Sequence, residues 1–138
     1  PAPTPTPPTP TVSVATLVKK VWTVSTAQWD GVTKYDKAGT ANVVQGYSQY
    51  KLDLSTAGSV TLTEFDGKIF TGTYTVATDG LSLTLNGLTS AEGAPTGTGG
   101  IIAYTILSTP TATGLSLQQT TAYEKASSAI VKLALVNP

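Results

Sequence analysis

The chain contains no arginine, histidine, cysteine or methionine, and charged residues make up only 12% of its 138 positions. Each absence excludes something. Without Cys or His there is no thiolate or imidazole metal site and no Ser-His-Asp or Cys-His nucleophile system. Disulfides are excluded too, so the fold rests on packing and backbone ladders. Eight Lys balance eight acidic residues, for a net charge of zero. A nucleic-acid reader needs a basic, usually Arg-rich, surface, so no nucleic-acid partner is expected. The apolar stretches are also short. The longest, Ala129–Val136, is interrupted by Lys132, and a membrane-crossing helix needs about 20 apolar residues.

What is abundant is threonine, at 26 positions, and proline at the start. Residues 1–11 read PAPTPTPPTPT and hold six of the nine prolines. Proline fixes φ and lacks an amide donor, so this stretch reads as a solvated, polyproline-II-like linker or disordered tail outside the fold. Extended at about 3.1 Å per residue it would reach about 34 Å. A start at Pro1 with no Met anywhere leads us to expect an upstream segment that has been removed.

Residues 12–138 read as one all-β domain, rich in Thr, Val, Tyr and Ile and punctuated by turn residues. A short helical turn capped by Ser13 is expected first, with Val14, Leu17, Val18 and Val21 at helical spacing. Eight strands follow, at about Val21–Trp29, Tyr47–Leu54, Ser59–Phe65, Lys68–Ala77, Leu81–Asn86, Gly100–Ser108, Leu115–Tyr123 and Ala129–Val136. A long connection carrying Asp30-Gly31 separates the first two, and a Gly-rich loop, Gly87–Gly99, separates the fifth and sixth. Asp66-Gly67 is a two-residue hairpin signal. Tyr50, Leu52 and Leu54 share one face, as do Leu81, Leu83 and Leu85; Phe70, Gly72, Tyr74 and Val76; and Val131, Leu133 and Leu135. Strict alternation of this kind marks antiparallel sheet with one wet face. In the third strand Val60 and Leu62 keep parity and Glu64 breaks it, so a bulge near Phe65 is expected. Sequential hairpins favour an eight-stranded antiparallel up-and-down β-barrel; the competing arrangement is a two-sheet sandwich.

Several segments together resemble the lipocalin-like domains of bacterial surface lipoproteins. They are the helical start with Lys20-Val21-Trp22, then Tyr50-Lys51-Leu52-Asp53-Leu54, Phe70-Thr71-Gly72-Thr73-Tyr74, Leu81–Leu85, Tyr104-Thr105-Ile106 and Leu115-Ser116-Leu117. Lys20 stands where carrier lipocalins hold a Gly, and no Arg is present to stack on the Trp, so the likeness is to the bacterial group. The resemblance implies a barrel with Trp22 at its closed floor. It also implies an extracytoplasmic setting in the periplasm, outer membrane or cell surface. There the Pro/Thr segment would be a tether following a lipidated upstream Cys, and so a link to the membrane.

The chemistry left to the chain is sparse. Glu64 with Asp66 or Asp53 is the one conceivable glycosidase pair, but Asp30, Asp66 and Asp79 each precede Gly and read as turn residues. The loop Gly93–Gly100 lacks the Lys of a phosphate-binding loop. No D-x-D calcium pattern and no Asn-x-Ser/Thr sequon occurs. No catalysis, cofactor or metal is therefore expected. Two readings of function stand. In the first, a lipocalin-like carrier binds a small hydrophobic ligand inside the barrel, lined by Trp29, Phe70, Tyr74, Tyr104 and Gln119, with Gly72 leaving room. In the second, Trp29, Tyr35 and Tyr47 form an exposed, coplanar sugar-stacking platform on a β-sandwich. A structural surface domain without ligand is the plain alternative.

Overall fold

The computed structural model describes residues 13–39, 42–95 and 97–137; the Pro/Thr-rich segment expected over residues 1–11 lies outside them. The chain opens with a single helical turn, α1 (Val14–Leu17), whose first exposed amide, on Thr16, is taken by the Ser13 hydroxyl at 3.2 Å. Nine strands follow: β1 (Val21–Trp29), β2 (Val32–Asp36), β3 (Lys51–Asp53), β4 (Ser59–Thr63), β5 (Ile69–Val76), β6 (Ser82–Thr89), β7 (Ile102–Ile106), β8 (Gly114–Gln119) and β9 (Val131–Val136). Short 3-10 helices stand at Gln45–Gln49 and Glu124–Ala126. No helix among the described residues is long and apolar enough to cross a membrane.

From β3 to β9 every strand pairs antiparallel with its neighbour in sequence. β9 then closes on β1, with Leu135 opposite Val24 and Val131 opposite Trp29. The result is a closed antiparallel barrel of eight strands, with β2 as an extra strand. Closure leaves no long unpaired edge and rules out the sandwich. One edge of β1 is shared: Val21–Thr23 pair with β3, and Thr26–Trp29 pair with β2.

β2 corrects the expectation of a long connection after Trp29. Asp30 and Gly31 both adopt positive φ, 50° and 80°, the geometry whose twist matches a two-residue hairpin. The strand expected over Tyr47–Leu54 shortens to β3, because Gln45–Gln49 turn as a 3-10 helix. Gly46 makes that docking possible, since a Cβ there would lie 1.9 Å from the Phe65 carbonyl oxygen. Asp66-Gly67 does turn the chain, but only Gly67 has positive φ; the Gly67 amide bonds to the Glu64 carbonyl, and the Asp66 carboxylate takes the Lys68 amide.

Alternation builds the core as the sequence implies. Tyr50, Leu52, Leu54, Leu83, Leu85, Val131, Leu133 and Leu135 all point inward and are buried. Leu81 does not; it falls in the turn before β6 and is 60% exposed. β4 runs in regular register from Ser59 to Thr63, and the irregularity expected near Phe65 falls beyond it in the turn, where Gly67, with φ of 85°, donates to the Glu64 carbonyl and the Glu64 amide donates to that of Lys68. Glu64 therefore stays on the inward face, only 3% exposed. Bulges also fall in β1 against β9, in β2 against β1, and in β6, where Gly87 and Leu88 together face Gly72 of β5. The last explains Gly72: a Cβ there would lie 2.3 Å from the Asn86 carbonyl oxygen, so its smallness seats a strand crossing and opens no room.

α1 and Trp22 mark one end of the barrel, which we call the lower end. Trp22 is fully buried, and its Nε1–H donates to the Val18 carbonyl at 2.9 Å, tying the helical turn to the barrel. The upper end is formed by the β1–β2 turn, the helix Gln45–Gln49, the β4–β5 turn, the loop before β7 and the β8–β9 connection.

Candidate functional site

The unusual chemistry of the molecule lies just inside the upper end. Two carboxylates come from β4 and its turn, Glu64 and Asp66; a hydroxyl and an amine come from the β8–β9 connection, Tyr123 and Lys125. Tyr123 donates to Glu64 Oε2 at 2.9 Å. Lys125 Nζ lies 2.9 Å from Asp66 Oδ2 and 3.7 Å from Glu64 Oε2, beneath the faces of Phe70 and Phe65 at 4.9 and 5.9 Å from the ring centroids. The amine is buried, yet its contact with Asp66 lacks hydrogen-bond geometry.

A tight local fold aims these groups inward. The Tyr123 carbonyl accepts from the amides of Ala126 and Ser128, and the Tyr123 amide donates back to Ala129. Ser127 and Ser128 follow with φ of 55° and 61°. Ala126 is fully buried, so the connection plugs the barrel and Lys125 enters with it. The loop around Gly97 packs on this plug, where a Cβ would meet the Glu124 side chain.

Burial sets the electrostatics. Desolvation pushes the Glu64 carboxyl up to about 7, against the pull of Lys125 and the Tyr123 hydrogen bond. Burial also acts upward on Asp66, but Lys125, the Lys68 amide and the Lys68 charge outweigh it and hold that carboxyl below its usual value. Desolvation raises the hydroxyls of Tyr47, Tyr50, Tyr104 and Tyr123 above the ordinary tyrosine range. The Tyr50 hydroxyl is buried beside that of Tyr104, without good hydrogen-bond geometry to it.

The expected ligand residues divide between the two ends. Trp29 is half-buried at the upper end; its Nε1–H donates to the Tyr47 hydroxyl at 2.9 Å and its ring leans on Phe65. Phe70 lies under Lys125, and the Tyr104 hydroxyl faces Tyr50, Glu64 and Gln119. Gln119 is buried beside a hollow of about 90 Å³ that also touches Gly97, Ile102 and Tyr123. Tyr74 sits at the lower end, bonded to the Leu54 carbonyl, and does not join the others. Phe70 and Tyr104 are buried in the interior, together with Trp22 and Tyr47. Larger hollows of 270–350 Å³ are open and lie on the outside, against Gln28, Asp30 and Lys132, for example, or against α1.

The sugar-stacking platform is not formed. Tyr35 and Tyr47 are buried and their rings are inclined by 46°. Nor does Asp53 meet Glu64; its carboxylate accepts from the Ser55 amide and hydroxyl, which lower its pKa. Glu64 and Asp66 do converge, bridged by Lys125. Among the described residues no group of three acidic side chains is placed to hold a metal ion. Sequence reasoning missed Tyr123 and Lys125 altogether. The signal that pointed toward them was the parity break at Glu64, since an inward carboxylate demands a buried partner. No family model, no curated protein and no solved structure matches this chain.

Proposed function

We propose that this chain is a non-enzymatic, lipocalin-like barrel domain of an extracytoplasmic surface protein, acting as a displayed structural module and not as a carrier. The observation that carries this reading is the filled interior, with Trp22, Tyr47, Phe70 and Tyr104 each no more than 2% exposed. Small-molecule sites are concavities of about 300 Å³ or more that bury most of the ligand. A hydrophobic guest here would have to displace these rings or the plug bearing Lys125. The Thr-rich, weakly charged barrel and the Pro/Thr segment before it suit a domain held away from a membrane anchor.

Thermal unfolding of the purified chain in the presence of palmitic acid, a quinone and haemin tests the reading. A molecule that binds only the folded state raises the midpoint by mass action. No shift is expected at any concentration. A saturable rise with one of the three overturns the ligand-free module and restores the carrier. Protease digestion of intact host cells tests the location: cleavage of the Pro/Thr segment is expected, and protection until lysis rejects surface display.

A further inference from the structure

We propose that Lys125 and Asp66 become joined by an intramolecular amide bond, with Glu64 as the proton-transfer group, so that the plug is covalently stitched to the β4–β5 turn. Four observations converge on it. The amine and a carboxylate oxygen stand 2.9 Å apart, and the side chain that carries the amine is only 8% exposed. The rings of Phe70 and Phe65 flank the amine and keep water from it. A second carboxylate, Glu64, lies 3.7 Å from the same nitrogen and is itself fixed by Tyr123. Finally, the two Asp66 oxygens are already distinguished: Oδ1 accepts the Lys68 amide, while Oδ2 faces the amine.

The bond-forming step needs no co-reactant. Burial keeps Glu64 protonated, so it can hand its proton to Asp66 Oδ2 and take one from the Lys125 ammonium, which transiently gives a neutral amine facing a carboxylic acid. The Nζ lone pair attacks Asp66 Cγ, and charge developing on Oδ1 is held by the Lys68 N–H. Glu64 takes a proton from Nζ and returns it to Oδ2. The Cγ–Oδ2 bond then breaks, water leaves, and an Nζ–Cγ amide remains. A carboxyl that titrates near neutrality is suited to both halves of that transfer. Asp66 is 31% exposed, which gives the water a way out. Proximity of this kind makes an otherwise slow condensation effectively unimolecular. In a chain without cysteine, the bond would close the long loop from β5 to β8 as a disulfide does elsewhere.

Intact-mass spectrometry of the full chain decides the matter. The expected mass is lower than that of the sequence by one water, and tryptic digestion is expected to leave a branched peptide joining Asp66 to an uncleaved Lys125. Lys125→Arg and Asp66→Ala are each expected to restore the full mass. In Glu64→Gln, which keeps both joined groups, the bonded fraction is expected to fall from near complete to undetectable. Full mass in the unaltered protein overturns the proposal. A deficit that persists in Lys125→Arg also overturns it, because the Asp66-Gly67 step can lose water to a succinimide without Lys125. Should a variant fail to fold, the branched peptide from the unaltered protein still supports the bond, and its absence still refutes it.

Discussion

The Tyr123 hydroxyl donates to Glu64 Oε2 at 2.9 Å, joining residues 59 positions apart inside the barrel mouth. This contact, with Lys125 beside it, is what lets a carboxylate occupy an inward position just past the end of β4. The accommodation is partial. Glu64 is better tolerated protonated than charged, and that has a consequence for stability.

Stability should fall as pH rises from about 4.5 to about 7. The folded-state Glu64 pKa of about 7 lies above the ordinary 4.5, so the folded protein binds the proton more tightly. Its stabilisation is complete below the ordinary value and is lost as pH rises through the folded one. Across that gap, at about 1.4 kcal/mol per pH step, the loss is of order 3 kcal/mol. Asp66, held low, acts in the opposite sense and only at more acid pH. Denaturant unfolding between pH 4 and 8 measures the slope, and Glu64→Gln should flatten it. An unchanged slope in that variant would assign the effect to another group.

Tyr50→Phe should stabilise the protein by about 1 kcal/mol, because a buried hydroxyl without a well-aligned partner carries an uncompensated desolvation cost. Urea unfolding of the variant is the check. A loss of stability instead would mean that the hydroxyl is satisfied by the Tyr104 hydroxyl beside it or by a bound water.

Gly72→Ala should destabilise by about 1–3 kcal/mol, as overpacking does. The new methyl would meet the Asn86 carbonyl, a backbone atom that cannot swing away. Gly31→Ala, with open space around its Cβ but a φ of 80°, should cost about 1 kcal/mol from backbone strain alone. Comparing the two midpoints separates steric contact from conformational preference.

Trp22→Ala should cost about 3–5 kcal/mol, the range for emptying a buried aromatic site. Trp22→Phe keeps a ring and removes the donor to the Val18 carbonyl, for about 1 kcal/mol. Hydrogen exchange at the Val18 amide, which closes α1 onto Val14, should then accelerate more than exchange in β9. Uniform acceleration would show that the indole bond does not hold α1 in particular.

Much of the barrel was legible from local pattern. The bounds of β1, Val21–Trp29, agree residue for residue, and the Ser13 cap and the buried faces of β6 and β9 fall where alternation puts them. These features depend on the period-two pleat and on side chains one or two positions away. β2 was legible too, since Asp30-Gly31 is the same kind of turn signal as Asp66-Gly67. It went unread because Thr33 and Lys34 give the strand little apolar alternation, only Tyr35 being buried.

The site was not legible in the same way. Parity alone placed Glu64 on the inward face, but parity also made that placement look like an error in need of a bulge. The sequence by itself determined an all-β chain of sequential hairpins, the inward register of its apolar residues and the turns that join them. Only the tertiary structure decided which rings occupy the barrel interior, that β9 closes on β1, and that Tyr123 and Lys125 come from a distant part of the chain to meet Glu64 and Asp66. The reason is one of range. Pleat, caps and turns are set by neighbouring residues, whereas filling a barrel and partnering a buried charge depend on which distant side chains closure brings face to face.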